Sequence, residues 1–274
     1  SVALGYLRLF DSKLVNAWSS GTGMAGVLGS GIYIIFGCTI GEGNKTAQLK
    51  HLTKYAFLLT LPFVLLYLVA YIFIIKSPND NDTAPPTIQD DEEPLIEESN
   101  ESEKSVSDPV TETSFQRIGR CFKLIGWLSF NLCTVYVFEY VAQGCAAKVR
   151  PKSEYNKGCP ELFAALSLCY QAGVFVSRSS VQLFQIKRVE ILTILQLINM
   201  VLWLIDVHYK FIPLAILPTL MVYVGLLGGA SYVNIFYLLL NDSRFPDKDR
   251  ELCINITALF ITAGRFNVHF FLTS

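Results

Sequence analysis

One glutamate inside an apolar stretch is the group of this chain best suited to proton chemistry. Glu139 is the only charged residue between positions 124 and 144. Spacings of three and four residues place Tyr136, Tyr140 and Gln143 on the same helical face as this carboxyl group. A charged side chain inside a bilayer costs about 2.5–3.5 kcal/mol, so a glutamate kept there is a candidate for function. The stripe predicts a polar passage in which Glu139 binds a proton or faces a solute. The alternative is a carboxyl group hydrogen-bonded to a neighbouring helix.

Arg178 is the second charged residue of interest, and it shares a helical face with Gln171. Its planar guanidinium group could hold a phosphate through two parallel hydrogen bonds, a geometry that lysine cannot provide. The alternative is an arginine whose long side chain reaches the membrane surface. Consecutive spans run in opposite directions, so Arg178 is expected toward the other end of the bundle from Glu139. An ion pair between the two is not expected.

Four neutral polar residues lie beside glycines, where a ligand could approach the backbone closely. These residues, which we add to the predicted transport path, are Ser20, Thr22, Tyr232 and Asn234. The three histidines lack metal-ligand spacing, and no nucleophile has a base at a usable spacing. No basic patch indicates nucleic acid. The sequence therefore argues against an enzyme, a metal or cofactor site and a nucleic-acid partner.

Seven long apolar stretches must position these groups. Residues 55–75 carry no charge, and a helix of that length spans about 31 Å, close to the roughly 30 Å hydrocarbon layer of a bilayer. The expected spans are 14–41, 55–75, 124–144, 162–186, 191–208, 211–241 and 252–271. Pro213 and Pro218 are expected to mark the entry of the sixth span or a kink just inside it. Hydrophobic residues make up 52% of the 274 positions and charged residues only 16%. The sequence therefore predicts an all-α protein that crosses the membrane about seven times.

An acidic segment divides these spans. Twelve of the 23 acidic residues lie between positions 76 and 116, in a region rich in Ser, Asn and Pro. Such a segment buries too little apolar surface to offset its ordering entropy, so we expect a disordered loop. Residues 1–75 would then form the last part of an N-terminal helical bundle, and residues 117–274 would form a C-terminal bundle. Because the chain begins without Met or a signal-peptide pattern, we interpret it as a fragment of a longer protein.

The lysine and arginine distribution orients the chain. If the acidic loop is cytosolic, 13 basic residues lie on the cytosolic side and eight on the other side, as the positive-inside rule favours. Asp91, Leu95 and Ile96 then fit an acidic dileucine sorting signal that cytosolic adaptors would read.

This orientation places two candidate modifications in the lumen. Asn44 begins an Asn-Lys-Thr sequon for N-glycosylation. Cys145 and Cys159 flank a polar loop and could form a disulfide if the lumen is oxidising.

Small residues recur at spacings of four in three of the spans. The residues predicted to pack helices are Gly21, Ala25, Gly29, Gly173, Gly225 and Gly229. Lipid provides no hydrophobic drive between helices, so close backbone contact at small residues holds a bundle together. Sliding contacts between moving halves of a transporter would have the same pattern.

Segments rich in these small residues also carry a family resemblance. They read Trp-Ser-Ser-Gly-Thr-Gly at 18–23, Tyr-Gln-Ala-Gly-Val-Phe at 170–175 and Gly-Leu-Leu-Gly-Gly-Ala at 225–230. Together with Glu139-Tyr140 and the acidic loop, they resemble the battenin family, and the resemblance covers nearly the whole chain in the correct order. Two departures from the family pattern are Val224, where an acid is expected, and the sequence after Thr262.

The resemblance implies a multispan protein of lysosomes and late endosomes, with a fold similar to the major facilitator superfamily. It also implies export of glycerophosphodiesters and a link to lysosomal pH and basic amino-acid handling. The leading interpretation is a transporter whose two bundles expose a midplane site alternately, with the bilayer, a small polar solute and protons as partners. The alternative is a non-transporting membrane scaffold whose acidic loop recruits trafficking proteins.

Overall fold

All regular secondary structure in the described residues is helical. The computed structural model describes residues 12–40, 55, 58, 61–69, 72, 114–150, 162–180 and 185–273. Six helices have the bounds α1 Ser12–Ile40, α2 Ser114–Ala146, α3 Leu162–Ser179, α4 Val189–Tyr209, α5 Leu217–Asn241 and α6 Asp247–Thr273. The helical residues at 61–69 belong to a seventh. The prediction of an all-α protein with about seven helices is confirmed.

Four of these helices contain stretches that are long and apolar enough to cross a membrane. The stretches are Ser19–Cys38, Gln116–Ala146, Val189–Tyr209 and Leu217–Asn241. α3, which carries Gln171 and Arg178, is not among them. α5 has Pro218 in its first turn, so this proline marks the entry of the helix and does not kink it. α3 ends at Ser179, seven residues before the predicted end of its span at 186.

α2 and α5 contact each other and also α3, α4 and α6. Two hydrogen bonds set the register of α2 against α4. Nε1 of Trp127 donates to Oε1 of Glu190 over 2.6 Å, and the hydroxyl of Thr193 donates to Oδ1 of Asn131 over 2.8 Å. Both pairs advance in the same direction along the two helices, so α2 and α4 run parallel.

Glycines let α3 and α5 touch along their backbones. A Cβ at Gly173 would lie 3.0 Å from the backbone nitrogen of Leu226, and one at Gly225 would lie 2.9 Å from that of Val174. A Cβ at Gly229 would lie 3.0 Å from the carbonyl oxygen of Val174. Real side chains almost never come this close, so the two helices depend on these three glycines for their separation.

α1 packs against α3 through a face other than the predicted stripe. A Cβ at Gly23 or Gly26 would overlap atoms of α3. The stripe of the sequence analysis is exposed and consists of Gly21, Ala25 and Gly29. A Cβ at Gly21 or Gly29 would meet no described atom within 4 Å. Two residues correspond to about 200° of helical rotation, so Gly23 faces away from Gly21.

Two apolar clusters fill the bundle. The Leu132 cluster joins α2, α5 and α6 to the start of α4, and its buried members include Ile125, Leu128, Leu132, Tyr136, Val189, Ile235, Phe236, Leu239 and Ile254. The Trp203 cluster joins the far end of α2 to α3, α4 and α5, and its buried members include Ala142, Leu166, Tyr170, Val174, Trp203, Leu217, Met221 and Val224. Glu139 of α2 and Gly228 and Ser231 of α5 lie between the two clusters. A polar layer therefore separates the two apolar clusters.

The cysteines correct one expectation. Cys145 is free and lies buried in the Trp203 cluster, so the considered bridge between Cys145 and Cys159 does not form. Cys38, near the end of α1, is disulfide-bonded. Disulfides persist in oxidising compartments, which agrees with a luminal position for this end of α1. The predicted residues outside the described part of the chain are Asn44, Asp91, Leu95, Ile96 and Cys159.

The chain divides into two compact units. One comprises residues 1–43 and 113–274, and the other comprises residues 44–112. All the contacts described below lie within the first unit. The predicted division into 1–75, 76–116 and 117–274 stays a prediction.

Candidate functional site

Glu139 lies where α2, α3 and α5 meet. The residue is only 1% exposed, and the hydroxyl group of Tyr170 on α3 donates a hydrogen bond to its Oε1 atom. On α5, a Cβ at Gly228 would come within 3.0 Å of all three atoms of the carboxyl group. Glycine is therefore the residue that leaves room for this side chain. The carboxyl group is therefore enclosed by described side chains and backbone of α2, α3 and α5.

The other members of the predicted stripe also face inward. Tyr136 is buried, and its ring stacks on that of Tyr140 with centroids 6.1 Å apart. Tyr140 is half-buried against the Leu132 cluster. Gln143 is half-buried too, and its Nε2 atom has no hydrogen-bond partner among the described residues. The polar face of α2 is thus turned toward its neighbours and not toward lipid.

Arg178 lies between α1 and α5 and contacts neutral groups. Its Nη1 atom donates to the hydroxyl of Thr22 over 3.0 Å, and its guanidinium carbon lies 4.4 Å from the ring centroid of Tyr232. Its Nε atom is buried and has no partner among the described residues, and no described carboxylate lies within 4.0 Å of the side chain. The cation is therefore oriented by a hydroxyl and an aromatic face while its charge has no described counter-ion.

Two further polar contacts join α1 to α3. The hydroxyl groups of Ser20 and Ser179 lie 2.7 Å apart, and the side-chain amide of Gln171 fills the space beside Gly26. Five residues that the sequence placed in the transport path thus meet around α3, and they are Ser20, Thr22, Gln171, Arg178 and Tyr232. The expectation that Arg178 and Glu139 lie toward opposite ends of the bundle stays a prediction.

Asn234 has a role that its position beside the glycines did not indicate. Its Oδ1 atom accepts a hydrogen bond from the backbone nitrogen of Ile186 over 2.6 Å. Its Nδ2 atom donates to the carbonyl oxygen of Ala230 over 2.8 Å. Both polar atoms are used within the protein, so Asn234 holds the segment before α4 in place.

Sequence reasoning missed Gln196 and Asn199, which α4 directs into the bundle. Gln196 is 0% exposed and Asn199 is 4% exposed. Their spacing of three residues on a strongly apolar helix was the available signal. A search for charged groups passes over such amides, since they cost less to bury than ions do.

A buried ion pair at the end of α4 was also missed. Nη1 of Arg150 lies 3.0 Å from Oδ2 of Asp206, and Nη2 of Arg150 donates to the carbonyl oxygen of Ile212. Oδ1 of Asp206 accepts from the backbone nitrogen of Ile212 over 2.8 Å. These bonds tie the turn after α2 to the turn between α4 and α5.

A second ion pair joins the other end of the bundle. Arg117 Nε and Arg120 Nη2 lie 2.6 Å and 2.5 Å from the two carboxylate oxygens of Asp249. Burial acts to raise the pKa of Asp249, but the hydrogen bonds and charges of the two arginines outweigh it and hold that pKa below its ordinary value of 3.8. The start of α2 is thereby fixed to the start of α6. No group of three or more His, Cys, Asp or Glu residues that could hold a metal occurs in the described part of the chain.

Comparisons with known proteins add a family to this geometry. A family model described as CLN3 protein matches residues 2–267. Battenin of Dictyostelium discoideum is 41% identical, with 96% of this chain and 66% of that protein covered. Battenin of Canis lupus familiaris is 30% identical over 95% of this chain and 57% of that protein. Protein BTN1 of Yarrowia lipolytica is 30% identical over 94% and 63%. The chain spans about three fifths of the length of these relatives, and no solved structure matches it.

Proposed function

This chain belongs to the CLN3 protein family, and from that premise we propose that it forms part of a transporter in the membrane of lysosomes and late endosomes. It is a multispan membrane protein. The proposed cargo is a small polar organophosphate, such as a glycerophosphodiester, that leaves the lysosomal lumen. Such export would in turn support lysosomal pH and basic amino-acid handling.

The observation that carries this proposal is that the charge of Arg178 has no counter-ion among the described residues. A buried or half-buried arginine in a membrane protein normally pairs with an acid, because an isolated charge is costly there. Arg178 instead contacts Thr22 and Tyr232, and its Nε atom has no described partner. A guanidinium group in this state can donate paired, charge-assisted hydrogen bonds to two oxygens of a phosphodiester. The solute would supply the missing negative charge.

The position of Arg178 supports a role at an interface between moving helical bundles as well as a role in solute binding. The residue joins α1 to α3, and the sequence analysis assigns these two helices to different bundles. In transporters with two bundles, the solute lies at their interface and is exposed to each side in turn. We propose that Ser20, Thr22 and Arg178 form one edge of that interface.

Glu139 is the proposed proton site. Its carboxyl group is buried with a hydroxyl partner, so either the ionised or the protonated form can keep the hydrogen bond with Tyr170. Export from an acidic lumen could be coupled to proton binding at this group. Glu139→Gln keeps the size of the side chain and removes its proton chemistry, so transport by this variant should lose its pH dependence. A pH profile equal to that of the wild type would contradict the role.

Flux measurements on the complete protein in proteoliposomes test the phosphate site. Labelled glycerophosphocholine is loaded, and its release is followed for the wild type, Arg178→Lys, Arg178→Gln and Arg244→Gln. We expect Arg178→Gln to lower the rate by at least about tenfold, since a charge-assisted hydrogen bond is lost, and Arg178→Lys to be intermediate. Arg244→Gln is the matched control, because Arg244 is exposed and pairs with Asp242 outside the spans.

Two results would refute the proposal. One is a wild-type protein that releases no glycerophosphodiester, and the other is Arg178→Gln that transports as fast as Arg244→Gln. The first result, combined with loss of partner proteins on deletion of residues 80–112, would favour the scaffold function.

A further inference from the structure

α4 is apolar on its outside and polar on its inside. The buried residues of this helix are Val189, Leu192, Gln196, Asn199, Trp203 and Asp206. Its exposed residues include Ile191, Ile194, Leu197, Ile198, Val201, Leu204 and Ile205. A helix in a water-soluble protein has the opposite arrangement. α4 thus exposes its apolar residues where lipid would surround it and directs amide and indole groups toward α2 and α5.

Several of these inward groups have no partner in the described part of the protein. Both polar atoms of the Gln196 side chain, Nδ2 of Asn199 and Nε1 of Trp203 make no hydrogen bond there. The three residues follow each other at spacings of three and four, so they line one face over about 10 Å of helix. Asn131, by contrast, is a buried amide that is satisfied, since it donates to the carbonyl oxygen of Trp127 and accepts from Thr193.

The unpartnered groups of α4 lie on both sides of the depth of Glu139. Asn131 and Thr193 are in contact, and α2 and α4 run parallel. From that pair, Glu139 is eight residues further along α2, which corresponds to about 12 Å. Gln196, Asn199 and Trp203 are three, six and ten residues further along α4, which correspond to about 4.5, 9 and 15 Å. Asn199 therefore lies close to the depth of Glu139, and Gln196 lies between that depth and the Asn131–Thr193 pair.

We propose that Gln196 and Asn199, with Nε1 of Trp203, bind the uncharged, oxygen-bearing part of the transported solute. The set offers three donor nitrogens and one acceptor oxygen and carries no charge. Hydroxyl, ether and ester oxygens complement such donors, whereas a phosphate would bind better at Arg178. An unpartnered buried polar group destabilises a protein. A ligand that forms hydrogen bonds with these atoms removes that cost and binds more tightly, whereas the acyl chain of a lipid has no hydrogen-bonding group to offer. This inference rests on the proposed function, because it assigns the second half of the same solute.

Two phosphodiester probes that differ only in the hydroxyl groups of the glycerol test the assignment. Glycerophosphocholine carries these hydroxyl groups, whereas propylphosphocholine has the same diester phosphate and choline without them. Binding of each to the complete protein in detergent is measured by ligand-induced thermal stabilisation for the wild type, Gln196→Leu, Asn199→Leu and Asn131→Leu. We expect Gln196→Leu and Asn199→Leu to weaken glycerophosphocholine binding about tenfold and to leave propylphosphocholine binding unchanged.

Thermal stability without ligand gives an independent readout. Replacement of an unpartnered amide by an apolar side chain of similar size removes a desolvation cost, so Gln196→Leu should melt at or above the wild-type temperature. Asn131→Leu removes satisfied hydrogen bonds and should melt lower, with the ratio of the two probe affinities unchanged.

The outcomes separate the two proposals. If the wild type binds neither probe, the proposed function fails and this inference fails with it. If the wild type binds glycerophosphocholine but Gln196→Leu keeps the wild-type affinity ratio, the inference alone is wrong. It is also wrong if Gln196→Leu lowers the melting temperature as Asn131→Leu does or fails to fold, because the amide would then be part of the structural hydrogen bonding.

Discussion

The contact between α3 and α5 gives a stability prediction that can be worked out from the structure. In Gly225→Ala the added Cβ would lie 2.9 Å from the backbone nitrogen of Val174 and closer still to the carbonyl oxygen of Tyr170. Ordinary contact begins at 3.4 Å, so α3 and α5 must separate by at least 0.5 Å. Both neighbours are backbone atoms, so no side-chain rotation can relieve the overlap.

The expected free-energy change is the balance of two effects. Overpacking of this kind costs about 1–3 kcal/mol, whereas alanine gains about 1 kcal/mol over glycine in helix propensity. The separation also opens the contacts beside Glu139, since Tyr170 and Gly228 belong to the same two helices. We therefore expect Gly225→Ala to lower the free energy of unfolding by up to about 2 kcal/mol.

Gly126→Ala is the matched control, because a Cβ there meets no described atom within 4 Å. It keeps the propensity gain without the overlap, so its melting temperature should equal or exceed that of the wild type. The assay is thermal unfolding in detergent, followed by tryptophan fluorescence and by circular dichroism. The reasoning is refuted if Gly225→Ala melts at the same temperature as Gly126→Ala or higher.

Two further predictions concern the ion pairs at the ends of the bundle. Arg150→Met leaves Asp206 charged and buried and should lower the free energy of unfolding by about 3–5 kcal/mol, whereas the double variant Arg150→Met with Asp206→Leu should be more stable than the single one in the same melting assay. A double variant as unstable as the single one would contradict this. At the other end, the pKa of Asp249 lies below 3.8, so its ionised form stabilises the fold above that pH, and the contribution is lost as the pH falls through the folded-state pKa. Asp249→Asn should therefore lower the melting temperature equally at pH 7 and pH 5, and by less below about pH 4. A difference that has already disappeared at pH 5 would show that Asp249 does not carry this stabilisation.

Apolar length and the spacing of small residues predicted much of this fold. The helix class follows from the lack of charge over about 20 residues, since the backbone in lipid must satisfy its own hydrogen bonds. The stripe around Glu139 could be found because three- and four-residue spacings hold wherever the helix lies. The grouping of Ser20, Thr22 and Arg178 could not be derived from spacing, because it depends on which helices become neighbours.

The residues that were missed share a physical cause. Gln196 and Asn199 are uncharged, so their insertion cost does not stand out in an apolar helix, and only the burial of both reveals them. For the stripe of Gly21, Ala25 and Gly29 on α1, the sequence predicted a packing face that is exposed in the structure. Gly21 and Gly23 are both small, and the sequence does not say which of the two faces a neighbouring helix.

The glycine contact between α3 and α5 also has a consequence for biosynthesis. Residues 162–179 leave the ribosome before residues 217–241, so α3, with its arginine, enters the membrane before the helix that fits against it exists. Until α5 emerges, the notch at Gly173 stays open, and Arg178 lacks the aromatic face that Tyr232 provides. A transcript with a stop codon between the regions that encode α3 and α5 would yield a chain in which α3 is poorly inserted. Quality-control proteases degrade products of this kind.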